Sequence, residues 1–327
     1  MKLLVLNCHE AWVHQLGALG AELDIVIGLP GRYTTTWDER MRPLPARART
    51  VTLDEARLGL TKYDCVINHN ITDLLDTREI DAPKLLVLHE SLEGRMAQQG
   101  ADFDPREMRV MLNTYLASVG GHAVAISRSK AKSWAVTHVV VHNSADPDAY
   151  LPWTGDVPSG LRVANHITSK RSFLAWDFHE AAFGSLPVRL IGHNPDMPGV
   201  EAAADWDALK ATFASHRFLV HTADPRYEDG YNMAVLEAMA AGMPVLTNRH
   251  PTTIVQHGIT GFIAETPHEM RRHAMQLLHD REMARTLGAN GARFIARNFS
   301  PDRFRVEFAK AIQEARKKWA RQRRVRS

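Results

Sequence analysis

Two acidic residues, Asp229 and Glu237, stand on either side of a turn and the start of an apolar helix. Gly230 follows the first acid, and the second lies among Met, Val, Leu and Ala residues. A helix that is apolar on nearly all sides is buried, and a carboxylate inside it needs a polar partner. The alternative is an ordinary surface helix with Asp229 at its N-cap and a solvated Glu237.

The ends of this helix can be read from the sequence. It is predicted to begin near Tyr231 or Asn232 and to end at Gly242, and Pro244 prevents its continuation. The first N–H groups of a helix are unpaired and suit a phosphate. Eight helical residues span roughly 12 Å. One carboxylate can therefore accept hydrogen bonds from a sugar and the other from a ribose, with the diphosphate of a nucleotide-sugar between them.

The segment from Asp229 to Val245 resembles the E-x7-E signature of the retaining glycosyltransferases of family 4. Residues 258–262 resemble the G-x-x-G-F that follows it there, whereas Asp229 stands where the family usually has Glu. The resemblance implies that Asp229 positions the donor sugar and that Glu237 holds the ribose. It also implies a front-face transfer that uses neither metal nor cofactor. The other donor-binding residues in this segment would be Gly230, Tyr231, Asn232 and Met233.

His89 directly follows the apolar run 85–88 and should lie at the carboxyl end of a strand. Open parallel sheets bind ligands beyond those ends. In the resembled family, a histidine after the corresponding strand lies near the donor sugar, which implies a catalytic role for His89. The alternative is a helix-capping or core histidine.

The loop after the predicted strand 161–165 carries Lys170 and Arg171. The resembled family usually shows G-R-x-x-x-x-K-G here, and its cations neutralise the diphosphate leaving group. Arg171 falls at the Lys spacing, while His166 replaces the Arg, and a neutral imidazole stabilises phosphate charge less well than a guanidinium. The alternative for Lys170 and Arg171 is a solvated loop. Gly192 ends the next strand, where the family often has G-x-G beside the nucleotide.

The first loop departs most from the resembled family, which often has a Gly-Gly pair there. His9, Glu10 and Trp12 occupy this place and are candidates for the acceptor site, with Trp12 stacking on a sugar ring. The alternative is that Trp12 belongs to the core of the first helix.

Composition describes a soluble globular protein, with 45% hydrophobic and 24% charged residues among 327. A net charge of only +3 argues against a dedicated nucleic-acid binder. Arginine and lysine cluster at 316–326 around Trp319, which favours either contact with anionic lipid or a solvated, frayed helix end. Two cysteines, Cys8 and Cys65, and no secretory segment favour the cytoplasm, with peripheral association at the inner membrane face as a further option.

Strands alternate with helices along the chain, several of the strands being continuously apolar, which is typical of parallel sheets covered on both faces. The predicted strands are Lys2–Asn7, Asp24–Gly28, Asp64–Asn68, Lys84–His89, Ala123–Ser127, Val139–His142, Arg162–Asn165, Val188–Gly192, Arg217–His221, Pro244–Thr247 and Gly261–Ala264. The later helices are predicted at Phe173–Phe183, Asp205–Ser215, Met233–Ala241, Pro267–His279, Arg281–Asn298 and Pro301–Arg316.

These patterns predict an α/β protein of the GT-B class, with two doubly wound Rossmann-like domains facing across a cleft. We expect an acceptor-side domain at 1–150 and a donor-side domain at 151–300, since a Pro- and Gly-containing stretch separates them. The segment 301–327 would form a final helix with the basic tail, crossing back to the first domain as in the resembled family.

The predicted activity is retaining transfer of a sugar from a nucleotide diphosphate-sugar to a hydroxyl acceptor. The acceptor classes are a lipid-linked glycan, a polysaccharide, a small metabolite or a protein. One alternative is a transferase-like protein that binds the nucleotide-sugar without turnover, which the departures at Asp229, His166 and the first loop favour. Another is a different GT-B enzyme such as an epimerase.

Overall fold

The computed structural model describes residues 1–32, 34–100 and 103–326, and these form two compact units. The first unit consists of residues 1–143 and 301–327, and the second of residues 144–300. The N-terminal unit is therefore built from two separate stretches of chain. The second unit begins at Ser144, a few residues before the expected boundary at 151.

The first unit contains a six-stranded parallel sheet in the order β3-β2-β1-β4-β5-β6. This is the Rossmann order, in which the direction of strand addition reverses between β1 and β4. The strands are β1 Lys2–Leu6, β2 Glu22–Val26, β3 Ala48–Val51, β4 Cys65–Asn68, β5 Lys84–Leu88 and β6 His122–Ala125.

Helices cover this sheet, and several of them begin directly after a residue whose side chain caps the first turn. Ser91, Asp104 and Ser127 each accept a hydrogen bond from a backbone N–H in the first turn of the helix that follows. The helices are α1 Glu10–His14, α2 Leu53–Arg57, α3 Ile71–Asp76, α4 Leu92–Gln99, α5 Pro105–Val119, α6 Arg128–Trp134 and, from the end of the chain, α12 Pro301–Arg326.

The second unit contains a five-stranded parallel sheet in the order β11-β10-β9-β7-β8. Its strands are β7 Val157–Val163, β8 Val188–Ile191, β9 His216–His221, β10 Val245–Asn248 and β11 Gly261–Ala264. Its helices are α7 Trp176–Phe183, α8 Trp206–Ser215, α9 Met233–Ala240, α10 Pro267–His279 and α11 Arg281–Asn298. The order reverses between β7 and β9, which is the flavodoxin-like arrangement.

Helix α12 packs into the core of the first unit. Phe304, Phe308, Ile312 and Ala315 are almost completely buried there and join the cluster that contains Leu3, Val5 and Ile67. Its basic end continues as a helix through residue 326, and Ser327 lies outside the described residues. Arg316 and Arg323 form ion pairs with Asp64 and Asp81 of the same unit.

One predicted strand is absent from the structure, and one observed strand was not predicted. Val139–His142 forms no strand, since only Val140 makes an isolated bridge to Ala125. The edge strand β3 was not predicted, because three of its four residues are not buried and its sequence lacks an apolar run. None of the described helices is long and apolar enough to span a membrane.

Candidate functional site

The carboxyl ends of β7 and β9 flank the place where the strand order of the second sheet reverses. Crevices that bind ligands form at such reversals. The loop after β7 carries His166, Lys170 and Arg171, and the loop after β9 leads to Asp229. Both groups of candidates therefore lie at the same edge of this unit's sheet.

The loops after β7 and β8 approach each other at Gly192. A Cβ built on Gly192 would lie 2.1 Å from the carbonyl oxygen of Ala164, and its φ of 145° is one that L side chains rarely adopt. A glycine is therefore required here. The predicted donor-binding Gly192 acts by letting two backbones meet.

Two asparagines fix these loops to each other. Asn165 Oδ1 accepts a hydrogen bond from the His193 N–H at 2.8 Å, and Asn194 Oδ1 accepts one from the Ile167 N–H at 2.8 Å. Asn194 Nδ2 also donates to the Ala164 carbonyl at 2.9 Å. Asn165 stands at the position of a family glycine, so its side chain supplies a loop contact that a glycine lacks.

His166 lies in the left-handed region with φ 55°, and its ring is 5.2 Å from that of His193. The His166 carbonyl accepts the Lys170 N–H at 2.9 Å, which closes a turn. Burial and then the charge of Lys170 lower the pKa of His166 below its usual value. The imidazole is therefore neutral at pH 7 and supplies little charge to a phosphate.

Arg171 is exposed and forms ion pairs with Asp177 at 2.5 Å and with Glu180. Both acids belong to α7, so the guanidinium is directed to that helix. Exposed ion pairs contribute little to stability and are readily exchanged. A phosphate would have to displace these acids to bind Arg171.

Arg162 is a buried cation near these loops that was not among the predicted site residues. Its guanidinium donates to the Thr222 hydroxyl at 2.6 Å and to the Leu174 carbonyl at 3.1 Å, and it lies over the Trp176 ring. These contacts join β7 to the residue after β9 and to the segment before α7. In the sequence, Arg162 was only the first residue of a predicted strand, and no motif there indicated its contacts.

Asp229 is 3% exposed and lies beside Thr252. The Thr252 hydroxyl oxygen is 3.4 Å from Asp229 Oδ1, accepts the Gly230 N–H at 2.8 Å and lies 3.1 Å from His250 Nδ1. A Cβ on Gly230 would stand 2.6 Å from the Thr253 nitrogen, so this glycine is also required. The turn before α9 is thus held by the 250–253 loop.

Helix α9 begins with Asn232 at its N-cap, whose side chain accepts the Val235 N–H at 3.1 Å. Asn232 is exposed and Met233 is half-buried, whereas Tyr231 is buried and packs against Phe299 at 5.8 Å. Glu237 is only 6% exposed. The carboxylate therefore lies inside the protein, in line with the buried-helix interpretation rather than with a solvated surface acid.

The carboxyl end of β5 in the first unit holds a pair of histidines. His89 Nε2 lies 2.8 Å from His69 Nδ1, and the ring of Trp12 meets both imidazoles edge-on at 4.8 Å. Burial lowers the pKa of His69 to about 3 and that of His89 well below its usual value, so both are neutral at pH 7. His69 follows β4 just as His89 follows β5, and the same rule applied to β4 would have found it.

The three candidates for the acceptor site differ in exposure. His9 is exposed and Glu10 is half-buried at the start of α1. Trp12 is 4% exposed, and its indole N–H donates to Asn143 Oδ1 at 2.9 Å. Trp12 is therefore a core residue of the first helix, which was the alternative prediction. Protein atoms enclose its ring, so the ring is not available to stack on a sugar.

Part of the second unit matches the sequence model of a known protein family. Residues 185–280, which include Gly192, Asp229 and Glu237, match the family model described as Glycosyl transferases group 1. An uncharacterized glycosyltransferase of Methanocaldococcus jannaschii is 30% identical over 94 residues, which are 28% of this chain and 26% of that protein. The chain thus matches about a quarter of this relative's length.

Solved structures resemble the chain over almost its whole length. Sucrose-phosphate synthase from Thermosynechococcus elongatus aligns over 96% of this chain and 98% of its own, with a TM-score of 0.68 and 13% identity. HepE of Anabaena, solved with UDP and glucose, aligns over 96% and 99%, with a TM-score of 0.68 and 15% identity. The likeness confirms the predicted fold class, two parallel-sheet α/β domains as in GT-B glycosyltransferases.

Proposed function

We propose that this protein is a glycosyltransferase that moves a sugar from a nucleotide diphosphate-sugar to a hydroxyl acceptor, with retention of anomeric configuration. The observation that carries the proposal is the burial of two carboxylates, Asp229 and Glu237, around the amino end of α9. Both acids belong to the segment that follows β9, at the edge of the sheet where the strand order reverses and where ligands bind. Sugar and ribose hydroxyls are donors of the kind that such carboxylates bind.

The amino end of α9 supplies the proposed phosphate site between these acids. Its first N–H groups carry partial positive charge, and Asn232 satisfies one of them through Val235. The required Gly230 lets the turn before this end pack against the 250–253 loop. A diphosphate can then lie along the helix end, with the sugar at Asp229 and the ribose at Glu237.

The proposed chemistry is a front-face displacement. The bond from the anomeric carbon to the donor phosphate breaks, the acceptor hydroxyl attacks on the same face, and its proton passes to the departing phosphate oxygen. Lys170, Arg171 and the helix end stabilise the diphosphate charge, so the mechanism needs no metal or cofactor.

The first donors to test are UDP-sugars, because HepE of Anabaena has been solved with UDP and with UDP-glucose. A donor that binds only the folded state raises the melting temperature, and the shift grows with its concentration above Kd. UDP-glucose should raise Tm, whereas glucose alone should not. GDP-, ADP- and TDP-sugars form the comparison set.

The decisive experiment uses isosteric changes at the two buried acids. Glu237→Gln should weaken nucleotide binding, whereas Asp229→Asn should leave nucleoside diphosphate binding intact and abolish transfer or donor hydrolysis. Glu282→Gln is the matched control, since Glu282 is exposed on α11. Unchanged binding and turnover in both variants would refute the assignment of the acids.

A second candidate is a protein that binds nucleotide-sugars without turnover. It is favoured by the neutral His166 and by the ion pairs that already occupy Arg171, since both weaken leaving-group stabilisation. Binding that depends on Glu237, together with no hydrolysis or transfer for any donor, would establish this alternative.

A further inference from the structure

Three neighbouring strands of the first unit deliver potential metal ligands to one edge of their sheet. Cys8 lies two residues beyond β1, His69 directly follows β4 and His89 directly follows β5. The strands are adjacent in the order β1-β4-β5 and parallel, so their carboxyl ends meet. One ligand atom from each of the three residues lies within 4.8 Å of the others.

The surroundings hold the two imidazoles in place. Trp12 packs edge-on against both rings at 4.8 Å and is itself anchored through Asn143. The His69 backbone N–H donates to Asp73 Oδ2 at 2.8 Å, which fixes the start of its loop. The ligand atoms of a metal site are most useful when such contacts orient them before the ion arrives.

We propose that Cys8, His69 and His89 bind one zinc ion. A thiolate and two imidazoles are ligands that zinc prefers, whereas magnesium and calcium prefer oxygen. Zinc bonds of about 2.0–2.1 Å to nitrogen and about 2.3 Å to sulfur place ligand atoms roughly 3.3–3.6 Å apart. Small side-chain rotations reach that spacing from the 2.8 Å of the histidine pair.

The proton balance of binding follows from these ligands. The Cys8 thiol must lose its proton, which passes to solvent. One imidazole now donates to the other, so the donating ring must move its proton to its second nitrogen before both lone pairs face the ion. Zinc thus replaces the hydrogen bond between the imidazoles by two zinc–nitrogen bonds, forms a third bond to the Cys8 sulfur and releases one proton for each ion bound.

Three protein residues leave a fourth position of a zinc tetrahedron for another ligand. His69 is buried, but Cys8 and His89 are only half-buried, so the site is accessible from the end of the strands. Three protein ligands with one open position allow water or another ligand to complete a tetrahedron. The site lies at the strand reversal between β1 and β4, where the loops of this unit converge. None of the residues around Asp229 and Glu237 takes part in this site, whereas bound zinc would engage His89 Nε2.

The test uses the full chain after removal of metal with a chelator. Dialysis against zinc and elemental analysis should find one ion per chain, and cobalt in its place should give a thiolate-to-cobalt charge-transfer band. Cys8→Ser should remove that band, and each of Cys8→Ser, His69→Gln and His89→Gln should weaken zinc binding by at least about 100-fold. Cys65→Ser and His122→Gln change a buried cysteine and a buried histidine elsewhere in the unit and should retain binding.

A second measurement needs no variant and so does not depend on variant folding. Zinc should protect Cys8 of the unaltered protein from alkylation, mapped by mass spectrometry, and magnesium should not. Equal zinc affinity in the ligand and control variants, or alkylation of Cys8 that zinc does not slow, would overturn the proposal. Neither result depends on any glycosyl donor, so failure here and failure of the proposed function are distinguishable.

Discussion

Gly192 lies so close to Ala164 that any Cβ on the glycine would stand 2.1 Å from the Ala164 carbonyl oxygen. The contact joins the loops after β7 and β8 at the edge of the sheet where the candidate donor residues lie. Backbone position, rather than side-chain chemistry, is therefore what this glycine contributes to the site.

Gly192→Ala should destabilise the second unit and weaken donor binding. The added methyl group would clash with the backbone of Ala164, and residue 192 has a φ that is unfavourable for alanine. Together these effects should lower the free energy of unfolding by about 2–4 kcal/mol. Chemical denaturation should show the loss. Gly291→Ala is the control, because its nearest contacts are ordinary ones at 3.7 Å and helix α11 favours alanine. Equal stability of the two variants would contradict this account.

Thr252→Val should loosen the turn that carries Asp229. The change removes the acceptor of the Gly230 N–H and leaves a nearly isosteric side chain, which costs about 1–3 kcal/mol for the unsatisfied group. Thr252→Ser keeps the hydroxyl and should restore stability. If the proposed function holds, titration calorimetry should show weaker donor binding for the valine variant alone. Similar behaviour of Val and Ser would exclude a role for the hydroxyl.

His122 should make the first unit sensitive to acid. Burial, together with the charge of Lys318, lowers its pKa to about 4 in the fold, whereas the unfolded chain has the ordinary value near 6.5. The neutral side chain contributes full stability above pH 6.5, and this is lost as the pH falls toward 4, because the unfolded state binds the proton first.

His122→Gln removes this titration. The slope of the free energy of unfolding against pH should become shallower between pH 6 and 4, by up to about 1.4 kcal/mol per pH unit for one proton. Urea denaturation at several pH values measures it. His138→Gln, at an exposed position of the same unit, should keep the slope of the unaltered protein. A variant at position 122 with an unchanged slope would argue against the assignment.

Phe308→Ala should destabilise the first unit by about 3–5 kcal/mol, because Phe308 is fully buried in its core. Val306→Ala on the same helix should change stability by less than about 0.5 kcal/mol, since Val306 is 44% exposed. Denaturant titration compares the two. A small effect at Phe308 would mean that α12 is dispensable to this core.

Much of the fold could be predicted from the sequence where burial and periodicity agree. Apolar runs such as Leu85–Leu88 identified the central strands, and the bounds of α10 and α11 match their predicted residues. The edge strand Ala48–Val51 was not predicted because Arg49 and Thr50 are exposed, so its sequence lacks the apolar run of a buried strand. Val139–His142 has the composition of a strand but pairs at a single residue.

The candidate site could be predicted only where side-chain type carries the information. The buried environment of Glu237 follows from the apolar residues around it in the chain. The ion pairs of Arg171 with Asp177 and Glu180 could not be predicted, because they depend on how α7 packs beside the loop. The meeting of Cys8, His69 and His89 is likewise a product of strand order, which a local pattern does not encode.

The return of α12 to the first unit also bears on how the chain acquires its structure during synthesis. Residues 144–300 form one continuous stretch and can fold as soon as they leave the ribosome. Residues 1–143 emerge earlier yet lack Phe304 and Phe308 until the last helix appears. The apolar surface that Phe304 and Phe308 cover in the folded unit therefore stays exposed on residues 1–143 until α12 has been synthesised.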